Sequence, residues 1–491
     1  MAHDAVSWCR VRRWALGACL LALAAPGVQA QEDSATGPLH AELESYAPRM
    51  GAVADELWEW AELGYLETRS SQLLQQELRE AGFRVESGVA GMPTAFVAEA
   101  GSGGPLIALL AEMDALPGMA QEAEPVRRPI AGQASGHACG HNLFGAGAVA
   151  AARAIQAWLQ ASGTPGRVRV YGTPAEEGGS GKVYMVQAGL FDNVDAVLHW
   201  HPSDRNSAAQ HGSMANVSGR FRFTGIAAHA SIAPDRGRSA LDGVEALNHM
   251  ANLLREHVPQ QTRIHYTISD GGGAPNVVPA TAEAYYYVRH PDPAVVEDVF
   301  ARLAKAAEGA AMGTGTQVTY EPLGGVYSLL PNDALGQVLD AALREVGGVQ
   351  YSPVDRAFAE SMQREFEQAP PLGQAARIEA YSDDGLSQAS TDVGDVSWAV
   401  PTAGIGTATW VPGTAAHTWQ AVAASGHSIG HGGTLVAART LALAATRLFT
   451  EPGILGQARV ELHGRRGDDF AYRPLLQRGT PPLDYRLQRA D

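Results

Sequence analysis

Residues 135–142, SGHACGHN, set Cys139 and His141 two apart between glycines, immediately before a helical segment. Glycine lets the backbone bend far enough for both side chains to address one centre. A helix N-terminus adds positive potential, which favours thiolate over thiol. Thiolate and imidazole together are ligands for zinc-like divalent ions. The same pair, given a base and an orienting group, would make a Cys-His hydrolase. A small structural cysteine is the third reading, and this stretch alone leaves all three open.

Further candidates follow apolar runs. Glu176 and Glu177 come after VRVYGTP, a strand whose carboxyl end is where open α/β sheets place their sites. Adjacent loop glutamates otherwise simply sit in water. His199 and His201, in AVLHWHP, are two apart and share a face of their strand, with a surface position as the alternative for each. His417 sits among small residues in GTAAHTWQ, after the strand-like TAGIGTAT. Together four segments offer Cys, His, Glu and His, a donor set for one or two divalent ions. The GGSGK at 178–182 is not a phosphate loop, because Glu176 stands where its first glycine belongs and Val183 replaces the Ser or Thr.

These residues need elements to hold them. PLIALLAEM, GRVRVYGTP and DAVLHWHP read as buried strands, AGAVAAARAIQAWLQ as a helix, and residues 41–81 as helical by their apolar spacing. Strands alternating with helices imply an α/β catalytic domain, a mostly parallel sheet with helices on both faces. Near residue 212 the rhythm changes. GRFRFTGIAAHAS, TRIHYTI and AEAYYYVR alternate, with an amphipathic helix in SALDGVEALNHMANLLREHV, which suggests an inserted α+β lid or dimerisation domain. The resulting plan is a signal peptide at 1–30, the catalytic domain at 31–211 and 327–450, and the insertion at 212–326. Residues 31–40 read as a disordered leader, and the polar, Pro-rich 451–491 as a loose C-terminal tail.

Charge and cysteine usage narrow the partners. Arg10, Arg12 and Arg13 precede the apolar WALGACLLALAAPGV and the small-residue site Val28-Gln29-Ala30, the pattern of a cleaved export signal and a periplasmic destination. A retained anchor, a twin-arginine signal on Arg12-Arg13 and lipid attachment at Cys19 are the alternatives. The signal carries three arginines against one aspartate, so its removal takes the net charge from −16 to −18. Cys9 and Cys19 leave with it, so Cys139 is the sole thiol of the mature chain and forms no internal disulfide. Such acidity argues against nucleic acid or an anionic membrane as partner and leaves a small-molecule substrate.

In order along the chain stand AEMDALPG, GHACGHN, PAEEGGSGKVYMV, WHP, GIAAHAS, PNVVPA, STDVGDVSW, HTWQ and GHGG. Through these motifs residues 41–452 resemble the M20 metallopeptidase group, in its amidohydrolase branch and p-aminobenzoyl-glutamate hydrolase subgroup. The resemblance implies hydrolysis of an amide between an acyl or aroyl group and an amino acid. It implies two divalent metal ions per subunit (Mn, Zn or Co), with Cys139 bridging and His141, Glu177, His201 and His417 completing the shells. Glu176 matches the general base, and His229 a histidine lent across a homodimer interface to the developing oxyanion. A heteromeric partner subunit is a further implication. Asn276 and Arg289 match residues that hold a substrate carboxylate; a turn residue and a surface charge are their bland alternatives. Asp114 matches an aspartate that orients from behind, and Asp392 and Asp395 are weaker matches of that kind. Asn142 stands where the broader branch has Asp, His199 competes with His201 as ligand, and an export signal departs from a subgroup expected in the cytoplasm. Two rivals remain, an exported aminopeptidase or dipeptidase on the same site and an exported binding protein on an inactive scaffold. The intact Glu176-Glu177 pair argues against the second.

Overall fold

The computed structural model describes residues 27–476 and 478–487, with side chains from Thr36 onward. The export segment read at 1–30 therefore lies outside the described residues except for 27–30. Helix α1 (Gly27–Trp60) takes in residues 31–40, so the expected leader is helical, and Leu39 is fully buried. The helical pattern over 41–81 divides into α1 and α2 (Thr68–Glu80), because Ala61 and Tyr65 both take positive φ between them. Then come β1 (Arg84–Ser87), β2 (Phe96–Ser102), β3 (Leu106–Glu112), α3 (His141–Ser162), β4 (Gly166–Thr173), the short α4 (Gly181–Gln187) and β5 (Ala196–Ser203).

The next stretch builds its own sheet. It contains β6 (Ala215–Thr224), α5 (Ala240–Leu254), β7 (Arg263–Asp270), β8 (Thr281–His290), α6 (Pro293–Thr314) and β9 (Gln317–Val326). Local chemistry starts its helices: Ser239 caps α5 through the Asp242 amide, and Asp292 caps α6 just before a proline at its first position. The chain then returns to the first sheet with β10 (Thr402–Ala408) and ends in α7 (Ser428–Thr450), α8 (Pro452–Arg466) and an irregular segment.

The first sheet has the order β1-β2-β4-β3-β5-β10. Strands β4, β3, β5 and β10 are mutually parallel, while β2 runs against β4 and β1 against β2. Every residue of β3 is buried, as an apolar strand covered on both faces should be. The second sheet is antiparallel, in the order β9-β6-β8-β7. In β8 the alternation separates two jobs: Ala284, Tyr286 and Val288 enter the core shared with α5 and α6, while Tyr285, Tyr287 and Arg289 stay half-buried on the other face. Among the described residues no helix is long and apolar enough to cross a membrane.

The expected loose tail is a correction. Leu455, Ala458 and Leu462 recur at helical spacing and bury one side of α8. Beyond it Leu475 joins the core of the second sheet and Leu476 that of the first. Polar composition concealed a few well-spaced apolar anchors.

Candidate metal centre and cleft

The parallel strands deliver their carboxyl ends to one place. Glu112 ends β3, with Asp114 two residues on; Glu176 and Glu177 follow β4; His201 lies near the end of β5; His417 follows β10. Gly140 turns the chain between Cys139 and His141 at φ 74°, where a Cβ would meet the Pro202 ring at 2.8 Å, so only glycine fits. The backbone here is strained beyond glycine. Ala175, Ser180 and His417 all take left-handed φ (57°, 57° and 61°), in the manner of residues held by their surroundings at a functional site.

Ligand-type atoms converge in three overlapping groups, each within 4.8 Å: Cys139 with His141 and His201, Cys139 with Glu177 and His417, and His141 with Glu176 and Glu177. Cys139 belongs to two of them. Its Sγ lies 3.4 Å from His201 Nε2. Glu177 Oε1 is 3.1 Å from His417 Nε2, and His141 Nε2 is 3.0 Å from Glu112 Oε2. Neither pair is aligned as a hydrogen bond, and Glu177 Oε1, His141 Nε2 and Glu112 Oε2 are buried without a hydrogen-bond partner. Buried polar atoms left this way are rare, and a soft-and-hard set of S, N and O donors facing one space fits a divalent cation.

Asp114 organises this group from behind. Its Oδ1 pairs with His141 Nδ1 at 2.9 Å, and its Oδ2 accepts from the Glu177 amide at 2.9 Å. One aspartate thus fixes the ring of one donor and the backbone of another. His199 belongs to none of the three groups; its ring lies over Gly404, its Nε2 is buried without a partner, and burial lowers it to about 4. Asn142 donates to the Ala54 and Ser425 carbonyls, a bracing role between elements. Asp395 corrects an expectation: its carboxylate accepts from Tyr472 and the Tyr327 amide, facing the C-terminal segment.

Three buried groups escaped sequence reading. Lys182, at the start of α4, is fully buried with Nζ 2.7 Å from Glu112 and 2.6 Å from Asp392. Glu112, Glu176 and Asp392 form a fourth cation-sized acidic group, and this ammonium sits against two of its members. Glu67, on the α1–α2 loop, accepts from the Ala175 amide at 2.8 Å and from Thr94 at 2.9 Å. Glu112 stands two before Asp114 in AEMDALPG, a spacing that signals a shared face; nothing marked Lys182 amid KVYMV.

Burial and neighbouring charge set the protonation pattern. Burial, then the Glu112, Glu177 and Asp392 carboxylates, push Glu176 well above the ordinary range against the Lys182 ammonium. Burial pushes the Cys139 thiol up, and pulls His201 down. Burial opposes the charge on His141, but Cys139, Glu112 and Asp114 overcome it and hold that ring well above its usual value.

A cleft of about 290 Å³ opens onto Glu176, Glu177 and His417 and is lined across from them by Tyr285, Tyr287 and Arg289. Arg289 reaches Ser390 Oγ at 3.3 Å and lies over the Tyr287 ring. His229 and Asn276 are elsewhere. Both are exposed on loops of the second sheet, with the Asn276 carbonyl accepting from the Ala230 amide and His229 Nδ1 from the Ser231 and Ile232 amides. Within one chain they do not join the cluster.

Residues 108–371 match the model of peptidase family M20/M25/M40. The chain belongs to this family. As an M20 chain it is 38% identical to one of the two p-aminobenzoyl-glutamate hydrolase subunits of Escherichia coli, across 89% of this chain and 97% of that protein. It is 31% identical to the mouse Xaa-Arg dipeptidase, across 85% and 90% respectively. The M20 fold is shared with a dinuclear metal-binding peptidase from Bacillus subtilis, with a TM-score of 0.57 and 19% identity over 83% of this chain and 99% of that one.

Proposed function

We propose that this M20 hydrolase cleaves the amide bond between an acyl or aroyl group and an amino acid, p-aminobenzoyl-glutamate being the model substrate. The observation that carries the reading is the shared position of Cys139 in two donor groups, both of which leave out Glu176, the neighbour of Glu177. The 38% identity to a p-aminobenzoyl-glutamate hydrolase chain supports the substrate class. Two divalent ions, Mn, Zn or Co, would be held by His141 and His201 on one side of Cys139 and by Glu177 and His417 on the other. Bound there, they would polarise the scissile carbonyl and make water nucleophilic near neutral pH.

The remaining work belongs to side chains. Glu176 takes a proton from the attacking water and hands it to the leaving nitrogen, and burial among the Glu112, Glu177 and Asp392 carboxylates raises its affinity for that proton. Asp114 keeps His141 and the Glu177 backbone in register. Arg289 holds a carboxylate of the amino acid at the far wall of the cleft, and Asn276 assists on closure. His229 serves the oxyanion of a second copy's site, so the working unit is a homodimer with a moving second domain. A heteromeric partner, export to the periplasm and cleavage after Ala30 complete the proposal.

Chelation followed by add-back of manganese, cobalt or zinc tests it on a panel of N-acyl and N-aroyl amino acids. Activity should vanish and return. Turnover that survives thorough chelation, or an unimpaired Glu176→Gln enzyme, overturns the reading. The identity to an Xaa-Arg dipeptidase favours a second reading, dipeptide hydrolysis, and a requirement for a free α-amine in the same panel selects it.

A further inference from the structure

The end of the chain returns to the catalytic turn. After α8, Tyr472 Oη donates to Asp395 at 2.7 Å and the Arg473 carbonyl accepts from Tyr327 Oη at 2.8 Å. Leu475 and Leu476 then anchor the segment in the two cores. Some ten residues on, Tyr485 Oη donates to the Glu177 carbonyl at 3.1 Å, and Arg486 Nη2 donates to the same oxygen.

That carbonyl needs such donors. Glu177 (φ −72°, ψ 66°) and Gly178 (φ 92°) are not helical, although they lie in a helix-like turn, so the turn leaves its own carbonyls to outside partners. The Gly179 carbonyl accepts from Tyr65 Oη at 2.7 Å, and Tyr65 packs edge-on against Tyr485 with centroids 5.6 Å apart. Gly64 makes room for this: a Cβ there would stand 2.3 Å from Tyr485 Oη. Asp114 and Glu67 hold the Glu177 and Ala175 amides of the same turn. The turn is thus held through its amides and its carbonyls alike, and one of these grips comes from residues about three hundred positions away. Arg478, Tyr485 and Arg486 also wall a cavity of about 620 Å³ that shares Glu177, Gly178, Tyr285, Tyr287 and Leu323 with the cleft.

We propose that Tyr485 and Arg486 are positioning residues of the Glu176-Glu177 turn: by fixing the Glu177 carbonyl they aim one carboxylate at the metal centre and leave the other free for proton transfer. This rests on reading the turn as catalytic. The test uses the full chain with Arg486→Ala, Arg486→Lys, Tyr485→Phe and the Tyr485→Phe/Arg486→Ala pair. Affinity for Zn²⁺ is measured by equilibrium dialysis, kcat and KM on an N-aroyl amino acid, and Tm on each variant. Loss of a residue that orients a metal ligand typically weakens binding by about 10–100-fold. The same loss is expected here for Arg486→Ala, together with a lower kcat, an unchanged Tm and partial recovery in Arg486→Lys. Tyr485→Phe keeps the ring packing and removes one donor, so it reads the hydrogen bond even if the double variant folds poorly. Wild-type Zn²⁺ affinity and kcat in Arg486→Ala and Tyr485→Phe, or a change confined to KM, overturns the proposal. Should the wild type hydrolyse no amide at all, the functional reading fails alone, and the Zn²⁺ affinities still decide this one.

Discussion

The two sheets arrange their polar residues in opposite ways. At the carboxyl ends of β3, β4, β5 and β10, acids, histidines, a thiol and an ammonium are packed within hydrogen-bond reach and largely withdrawn from water. On the loops of the second sheet, His229 and Asn276 are exposed, and β8 meets the cleft through Tyr285, Tyr287 and Arg289. Buried charges are tolerable only when each has a partner, so the first region is rigidly over-determined. The exposed loops of the second carry no such constraint. Preorganisation and reach are thus divided between the sheets.

Substitutions sharpen that contrast. Glu176→Gln should lower kcat by about 10³-fold while zinc content, measured by atomic absorption, stays at the wild-type level. Equal loss of metal and activity would instead make Glu176 a ligand. Lys182→Met leaves Glu112 and Asp392 facing each other without a cation; by analogy with broken buried pairs it should destabilise by about 3–5 kcal/mol in urea titration. Its counterpart on the second sheet, Arg222→Met, breaks a half-exposed pair with Glu283 and should change stability by no more than about 1 kcal/mol. Comparable effects at both sites would erase the distinction. His229→Ala should lower kcat by about 10²-fold with metal content and Tm untouched. Mixing it with Glu176→Gln should restore activity if the histidine serves a second copy; no restoration confines it to its own chain. Arg289→Ala should act mainly on KM, by about tenfold, since it removes one charge-assisted contact in a solvent-open cleft.

The remaining prediction concerns pH. Burial raises Asp395 from 3.8 to about 7, against the Tyr472 and Tyr327 hydrogen bonds. A carboxyl raised in the folded state binds its proton more tightly there than in the unfolded chain. Wild-type stability should therefore fall as pH rises from about 4 to about 7, relative to Asp395→Asn, which has no proton to lose. A stability difference between the two that stays flat over that window contradicts the assignment.

What is legible in the sequence follows periodicity and spacing. The all-buried run of β3 and the alternation of β6, β7 and β8 announce two kinds of sheet, because period and burial are local properties. CGH, EEGG and WHP announce candidate donors, because residue type and spacing are local properties too. Lys182 is invisible there because a buried lysine among apolar neighbours looks like a surface charge until its counter-ions are known. Asp395 shares a motif with Asp392 and so reads as another neighbour of the centre; the intervening helical turn points the two carboxylates to different partners. The C-terminal segment misleads because composition averages over anchors such as Leu455, Leu462 and Leu476.

From the residue string alone come the element types, the mixed donor set and the glycine-bearing turn between Cys139 and His141, all governed by neighbours a few positions apart. Only the folded chain placed His201 beside Cys139 and His141 and left His199 out of every donor group, set an ammonium between Glu112 and Asp392, and brought Tyr485 and Arg486 back to the Glu177 carbonyl. Those outcomes depend on which distant atoms meet, and through-space distance is written in the packing of the sheets.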